Sequence, residues 1–411
     1  MLEHFYEAAF DIRRLRNGVA GPHIDGFADE LFEVGYSRLS AHRYIRAVEH
    51  LLYWVRRRGI VPETLSKGCI QRFHRHLRYC KCHHFGKSDF QSLRSGSRLF
   101  LRFLQDRGIV EIPAQAMPVL LKAFCDWMYL RRGTTPAALY NYSLVIVDLL
   151  RTIGEDPRHL DAATLRRFVL DRSRRCGLAK AKMMVTALRA FVRFLIADGK
   201  CPVGLDEAIP GIAAWRLSAL PRYLQPDEIE RVVASCHPSQ EAGLRDRAIV
   251  LLLARLGLRA GDILRMKMSD IDWQEAWVRV SGKGRRQTQL PLSQELGDAI
   301  IAYIRGARPQ VETDILFMRS RAPVRGFANH CAVSAIVARA LRRAGIAHTV
   351  RGAAHLLRHS AATAMLRHGA TLREIASILR HQSIETTEIY AKVDVTALLQ
   401  IAQPWPGVSL C

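Results

Sequence analysis

The chain has few acidic residues for its size and no long apolar run. Asp and Glu number 38 against 61 Lys and Arg, which gives a formal net charge of +23 and a pI near 10.2. The longest apolar run, residues 248 to 254, ends at Arg255 and is far shorter than the roughly 20 residues of a membrane span. Residues 1 to 6 lack the apolar core of a signal peptide. We therefore expect a cytoplasmic protein with no membrane partner, and the excess of positive charge favours nucleic acid as the binding partner.

The sequence also lacks the signatures of nucleotide and metal cofactors. It has no Gly-x-x-x-x-Gly-Lys-Ser/Thr loop and no acidic metal cluster, so we expect neither a nucleotide nor a metal ion. Its nine cysteines are odd in number and form no even framework, which is typical of reduced thiols. Residues 80 to 84 read Cys-Lys-Cys-His-His, but structural zinc normally needs two Cys/His pairs and no second pair follows. We interpret this group as a polar, basic loop that binds no metal.

A weak internal repeat divides the first half of the chain. Residues 40 to 58 resemble residues 136 to 151 in apolar spacing, and each segment is later followed by a helical pattern that ends at a glycine, from 98 to Gly108 in the first case and from 187 to Gly199 in the second. A chance likeness of helical segments is the alternative to duplication. The pattern predicts two helical domains, residues 1–112 and 113–212, since 411 residues exceed what one core usually serves.

The second half changes from helical to alternating periodicity and back. A linker at 213–222 precedes helical patterns at 226 to 233 and 244 to 256. Residues 276–280 and 287–291 alternate like strands around a glycine-rich basic turn, which predicts a hairpin. Helical patterns return from 294, and Thr371 with Glu374 forms a capping box. We expect a mainly α domain with a small β-sheet at 223–395, followed by a tail at 396–411.

Six residues in the second half are suited to cleaving a phosphodiester. They follow one another as Arg259, Lys283, His355, Arg358, His381 and Tyr390. His355 and Arg358 are three residues apart and share a helix face, where they could approach one phosphate together. In-line attack on a phosphodiester needs a nucleophile, stabilisation of the phosphorane oxygens and a proton for the leaving oxygen.

Each of these roles has a candidate. The guanidinium forks of Arg259 and Arg358 suit the non-bridging oxygens, and His381 adds a donor. Lys283, on the hairpin turn, is placed to protonate the leaving 5′ oxygen because neighbouring cations lower the pKa of an amine. His355 could accept the proton of Tyr390, which would be the nucleophile.

Residues 222 to 395 resemble the catalytic domain of tyrosine recombinases, the phage integrase and Xer-type family. The resemblance is carried by Gly257-Leu258-Arg259, Gly282-Lys283-Gly284, His355-Leu356-Leu357-Arg358 and Leu379-Arg380-His381 ahead of Tyr390. It implies that the six residues are catalytic and that Asp262 orients Arg259. Two departures stand out. Arg380 replaces the family's usual glycine, so we expect the turn before His381 either to need a different backbone geometry or to make an added phosphate contact, and Asp262 replaces the commoner glutamate.

The resemblance also implies the organisation and the reaction. It predicts two helical SAM-like DNA-binding domains ahead of the catalytic domain, with residues 113–212 binding the core site and 1–112 contacting further DNA or a partner. It predicts site-specific recombination of double-stranded DNA through a 3′-phosphotyrosyl intermediate and a Holliday junction, within a tetramer of this or related recombinases. We expect a mobile element as the DNA served. Alternatives are a type IB topoisomerase-like or telomere-resolving enzyme, or a DNA-binding regulator that no longer cuts.

Clusters of basic residues outside these motifs could contact backbone phosphates. The alternative for each is an ordinary solvated face. The candidates are Arg56, Arg57, Arg174, Arg175, Lys180, Lys182, Arg285 and Arg286.

Overall fold

The structure is a computed structural model that describes residues 1–18, 20–82, 85, 89–111, 117–213, 221–240, 242–281, 287–347, 352–381 and 383–393. The α-helices in these residues are α1 (Ala9–Arg16), α2 (Gly21–Glu33), α3 (Arg38–Arg56), α4 (Lys67–His76), α5 (Phe90–Asp106), α6 (Val119–Arg132), α7 (Pro136–Ile153), α8 (Ala162–Ser173), α9 (Leu178–Ala197), α10 (Pro226–Ala234), α11 (Gly243–Arg255), α12 (Ala260–Arg265), α13 (Gln294–Gly306), α14 (His330–Arg343), α15 (Ala353–Arg367) and α16 (Leu372–Ile378). The strands are β1 (Ile271–Asp272), β2 (Trp277–Ser281) and β3 (Gln287–Pro291). The fold is mainly α with a small sheet, which confirms the predicted class.

Contacts divide the chain into two compact units. One contains Met1–Ile112 and Ala219–Cys411, and the other is Pro113–Ser218. The division into three domains stays a prediction. The linker at 213–222 lies mostly outside the described residues, and the tail at 396–411 lies wholly outside them.

Each half of the predicted repeat contains a helix pair with its own core. In the first half α3 packs against α5, and in the second half α7 packs against α9. Phe100 and Phe27 meet edge to face in the first core, as Phe124 and Phe191 do in the second. The helices end where the sequence predicts: Gly108 and Gly199 both adopt positive φ, a conformation that glycine enters without steric cost.

The segment from 221 onward is built around α11, whose residues from Ala248 to Leu253 are almost inaccessible to solvent. Helices α10, α13, α14 and α15 all pack on it. The side chain of Glu228 accepts a hydrogen bond from the backbone of Gln225 at 2.8 Å and caps α10. A central helix surrounded on several sides explains the continuous apolar run that the sequence contains there.

The sheet contains one more strand than the sequence predicts. The hairpin of β2 and β3 is antiparallel, with Val278 opposite Leu290, and β1 adds Ile271 opposite Val278. β1 was missed because two residues are too short for a periodic pattern. Among the described residues no helix has the length and apolar character needed to cross a bilayer.

Candidate active site

The predicted catalytic residues lie at the ends of helices and in the short segments that follow them. Arg259 is the N-cap of α12, His355 and Arg358 belong to α15, and His381 follows α16. Tyr390 lies in a 3₁₀ turn at Glu388–Val393. Lys283 lies outside the described residues. Five of the six predicted residues are therefore described.

A cleft of about 860 Å³ brings three of these residues together. Arg259, His355 and His381 line it, and so does Arg380. Burial, followed by the charge of Arg358, lowers the pKa of His381 to about 4 and also lowers that of His355, which favours the neutral imidazole in each case. The imidazole of His381 bonds through Nδ1 to the Thr387 hydroxyl at 2.7 Å. The cleft thus combines fixed cations with neutral imidazoles.

Arg358 is buried beside this cleft and held by backbone carbonyls. It is 4% exposed. Its guanidinium donates to the carbonyl of Gly257, and Nη2 donates to the carbonyl of Leu379 at 2.5 Å. Gly257 has φ +59, and a Cβ there would lie 2.6 Å from Leu379 Cδ2, so glycine is required. Two loops that lie far apart in sequence therefore orient one guanidinium.

Asp262 reaches Arg259 through the backbone. Its Oδ2 accepts a hydrogen bond from the backbone amide of Arg259 at 2.9 Å, and the same oxygen accepts one from Nη2 of Arg380 at 2.5 Å. Arg259 in turn donates from Nη2 to the carbonyl of Arg380 at 2.8 Å. The carboxylate therefore joins the start of α12 to the turn before His381.

This ion pair accounts for the arginine at position 380. Arg380 has φ +55, a conformation that favours glycine and costs an ordinary residue on the order of 1 kcal/mol or more. Its side chain is 7% exposed and pairs with Asp262, which is 2% exposed. The sequence predicted either unusual backbone geometry or an added phosphate contact here. The structure has the positive φ, and the guanidinium pairs with a carboxylate.

The hydroxyl of Tyr390 contacts a histidine that sequence reasoning missed. Tyr390 is 2% exposed, and its hydroxyl lies 2.9 Å from Nδ1 of His359. Burial raises the pKa of Tyr390, although the charge of Arg358 opposes this, and burial lowers the pKa of His359 to about 4. Nδ1 of the buried His359 ring therefore shares a hydrogen bond with the phenolic hydroxyl. His359 lies four residues after His355 on the same helix face, and this spacing could have identified it from the sequence.

The basic residues proposed to contact DNA are solvent-exposed wherever they are described. Arg56 and Arg57 lie at the end of α3. The exposed residues of the second half flank the connection between α8 and α9: Arg174, Arg175, Lys180 and Lys182. Arg285 and Arg286 lie outside the described residues.

Acidification is expected to lower the free energy of unfolding between about pH 6.5 and pH 4. His359 and His381 titrate near pH 4 when folded, against an ordinary value of 6.5. Between these values the unfolded chain binds more protons, so stability falls as pH falls and the loss is complete below the folded pKa. Urea unfolding at a series of pH values and constant ionic strength measures this loss of stability. His359→Asn should flatten the slope and His237→Asn, at an exposed site, should not; an unchanged slope in His359→Asn would contradict the lowered pKa.

Comparison with known proteins gives a consistent set of similarities. The sequence profile of the Phage integrase family matches residues 222–396. The putative integrase/recombinase y4rA of Sinorhizobium fredii (strain NBRC 101917 / NGR234) is 32% identical over 416 residues, which cover 99% of this chain and 99% of that protein. The similarity therefore includes the helical first half.

Solved structures share the fold at low sequence identity. A XerH site-specific recombinase bound to palindromic difH substrate, a post-cleavage complex, covers 80% of this chain and 93% of its own at 19% identity, with a TM-score of 0.55. A lambda integrase tetramer bound to a Holliday junction covers 72% of this chain and 85% of its own at 17% identity, with a TM-score of 0.52.

Proposed function

Because the chain belongs to the phage integrase family of tyrosine recombinases, we propose that Tyr390 attacks a DNA phosphodiester and forms a 3′-phosphotyrosyl intermediate. The family is one of DNA breaking and rejoining enzymes, and the chain is a site-specific DNA recombinase. The bond between Tyr390 and phosphate replaces the bond to the leaving 5′ oxygen, so its energy is kept for rejoining. A second pair of exchanges through a Holliday junction completes recombination.

The cleft beside α12 and α15 supports this proposal most directly. Arg259, His355 and His381 line it, and Arg358 is fixed behind it by two carbonyls. Positive charge in a partly buried site stabilises the negative phosphorane oxygens more strongly than it would in water. Arg259 and Arg358 supply that charge, while neutral His381 donates from one ring nitrogen and is held in place by Thr387.

Tyr390 has to leave its buried position for the reaction. Its hydroxyl is bonded to His359 and the residue is 2% exposed. Binding of DNA would reorient the 3₁₀ segment at Glu388–Val393 so that the hydroxyl of Tyr390 reaches the phosphate. Since the pKa of Tyr390 is raised by burial, the proton must be taken up during attack, and the neutral rings of His355 and His359 are the available acceptors.

Lys283 is proposed as the general acid that protonates the leaving 5′ oxygen. Lys283→Ala is expected to lower cleavage of an ordinary phosphodiester by on the order of 10²- to 10⁴-fold. A 5′-phosphorothiolate substrate should restore much of the rate because its thiolate leaves without a proton. Single-turnover cleavage of both substrates measures this. Equal rate defects on the two substrates would exclude Lys283 as the general acid. Lys267→Ala, near the sheet, is the matched control.

DNA and further copies of a recombinase are the proposed partners. The XerH complex contains difH substrate, and the lambda integrase structure is a tetramer on a Holliday junction. We assign residues 113–212 to the core-binding domain and 223–395 to the catalytic domain, and each would contact duplex DNA. Residues 1–112 would extend that contact, and the net charge of +23 suits all these surfaces. The DNA served would be a mobile element.

Covalent capture tests the proposed reaction. The protein is incubated with a pooled library of nicked duplexes, in which the short strand beyond the cut diffuses away and traps the intermediate. A DNA adduct that survives denaturation, with the DNA attached to the peptide containing Tyr390, is expected, and sequencing the trapped strands gives the target. Sequence-specific binding with no adduct would instead indicate a regulator that does not cut.

A further inference from the structure

Four side chains of the kinds that can bind a metal ion converge in the first unit, far in sequence from the predicted catalytic motifs. His50 belongs to α3, His76 ends α4, and Cys80 and Cys82 lie in the segment that follows α4. Their ligand atoms all lie within 4.8 Å of one another. Three separate segments therefore bring two imidazoles and two thiols to one point.

The distances fit the edges of a tetrahedral metal site. Nε2 of His50 lies 3.3 Å from Sγ of Cys80, and Nε2 of His76 lies 3.4 Å from Sγ of Cys82. Zinc bonds of about 2.3 Å to sulfur and about 2.0 Å to nitrogen, at a tetrahedral angle, place sulfur and nitrogen about 3.5 Å apart. Thiols and imidazoles form only weak hydrogen bonds with each other, so this contact by itself stabilises little.

The surroundings restrict how the imidazole of His50 can move. His50 is 2% exposed and stacks on Phe85 with ring centroids 4.4 Å apart and an angle of 7°. Phe73 meets the same ring edge to face at 5.2 Å. The Nδ1 atom of His50 is buried and has no hydrogen-bond partner among the described residues. A buried ring held in this way presents Nε2 to the thiol of Cys80, from where it could bind a metal ion.

We propose that His50, His76, Cys80 and Cys82 bind one structural Zn²⁺ ion. Two thiolates and two imidazoles are the donor set that zinc accepts in closed structural sites. Binding releases the two thiol protons and forms two Zn–S and two Zn–N bonds. All four positions are filled by protein, so the ion would have no open position for a substrate.

This proposal replaces the expectation of a metal-free loop. That expectation depended on finding a second Cys/His pair downstream, whereas the histidines here come from two helices upstream. Their spacing, 25 residues between His50 and His76 and three more before Cys80, has no short-range pattern. Only the packing of α3 beside α4 makes them neighbours.

The consequence would be structural. The ion would tie the connection between α4 and α5 to α3, at the point where that connection leaves α4. Since it binds only the folded chain, it would raise the stability of the first unit by an amount that grows with zinc concentration. The site is independent of the proposed DNA cleavage, and either proposal can fail without the other.

Metal analysis of the full-length protein tests the proposal. Protein purified under reducing conditions, with zinc in the growth medium, is expected to contain about one zinc per chain by plasma mass spectrometry. The Cys80→Ser/Cys82→Ser variant should retain less than about a tenth of this, as expected from the loss of both thiolates. Cys176→Ser, the same change in the second unit, should retain all of it. Metal-free wild type after reconstitution, or a double variant with full zinc, would overturn the site.

Two further measurements do not depend on whether the double variant folds. Wild type reconstituted with Co²⁺ should show the absorption of tetrahedral cobalt together with a thiolate charge-transfer band. Modification of the wild-type thiols with a mercurial should release the zinc to a chelating dye. Cobalt spectra of an octahedral site without thiolate bands, or zinc that stays bound after both thiols are modified, would contradict the proposed ligands.

Discussion

Replacing Tyr390 with phenylalanine is expected to abolish covalent attachment to nicked DNA while binding to the same DNA continues. The ring and its packing remain, and only the hydroxyl that would bond to phosphate is removed. Among the described residues the hydroxyl makes one hydrogen bond, to His359 at 2.9 Å. Losing one such bond costs about 1 kcal/mol, so the variant should fold.

Denaturing gels quantify the adduct, and gel-shift titrations quantify DNA binding. Tyr140→Phe is the control because Tyr140 is 67% exposed and lies in the second unit; it should form adduct at the wild-type rate. The thermal midpoint of each variant shows whether it is folded. An adduct formed by Tyr390→Phe would exclude Tyr390 as the nucleophile and with it the proposed mechanism.

Arg358→Lys is expected to lower the single-turnover cleavage rate by about 10²- to 10³-fold, the usual cost of losing one donor aimed at a developing oxyanion. The carbonyls of Gly257 and Leu379 each accept from a different nitrogen of the guanidinium. A lysine has one nitrogen and no planar fork, so it cannot satisfy both carbonyls and still present donors to phosphate. The substitution keeps the positive charge, so a slower reaction would show that the geometry of the guanidinium matters in addition to its charge.

The same helix offers a matched control. Arg367 lies at the end of α15, where it donates to Gln225 Oε1 at 3.1 Å and to the Tyr223 hydroxyl at 2.8 Å. Arg367→Lys should leave the cleavage rate within a few-fold of wild type. An Arg358→Lys variant that cleaves at the wild-type rate would show that Arg358 contributes charge alone. A fall in thermal midpoint is expected for Arg358→Lys, because an unpaired buried carbonyl costs about 1 to 3 kcal/mol.

Much of the local structure followed from the sequence. The predicted helix at 136 to 151 forms as α7, Pro136–Ile153, and the capping box at Thr371 opens α16. These features depend on side chains three or four residues apart, so the pattern is visible in the chain itself. The ends of the helices were harder to predict. α5 begins at Phe90, eight residues before the helical pattern predicted from 98, and this start was missed because the first turns of α5 contain few apolar residues.

The sequence named the candidate residues of the site but did not indicate their contacts. The order of Arg259, His355, Arg358, His381 and Tyr390 identified the family. It did not indicate that Arg380 pairs with Asp262, because these residues are 118 positions apart. It also assigned the proton of Tyr390 to His355, whereas the hydroxyl contacts His359. One turn of helix separates the two histidines, and only the position of the 3₁₀ turn selects between them.

The sequence by itself determined the helical periodicity, the chain's positive charge and the identity of the residues available for chemistry. Each is a property of a residue or of its near neighbours along the chain. Only the tertiary structure decided which side chains meet: Arg358 with the carbonyls of two loops, and two histidines with two cysteines beside α3. Those contacts depend on how helices pack across long sequence separations, and packing is set by the whole core rather than by any one segment.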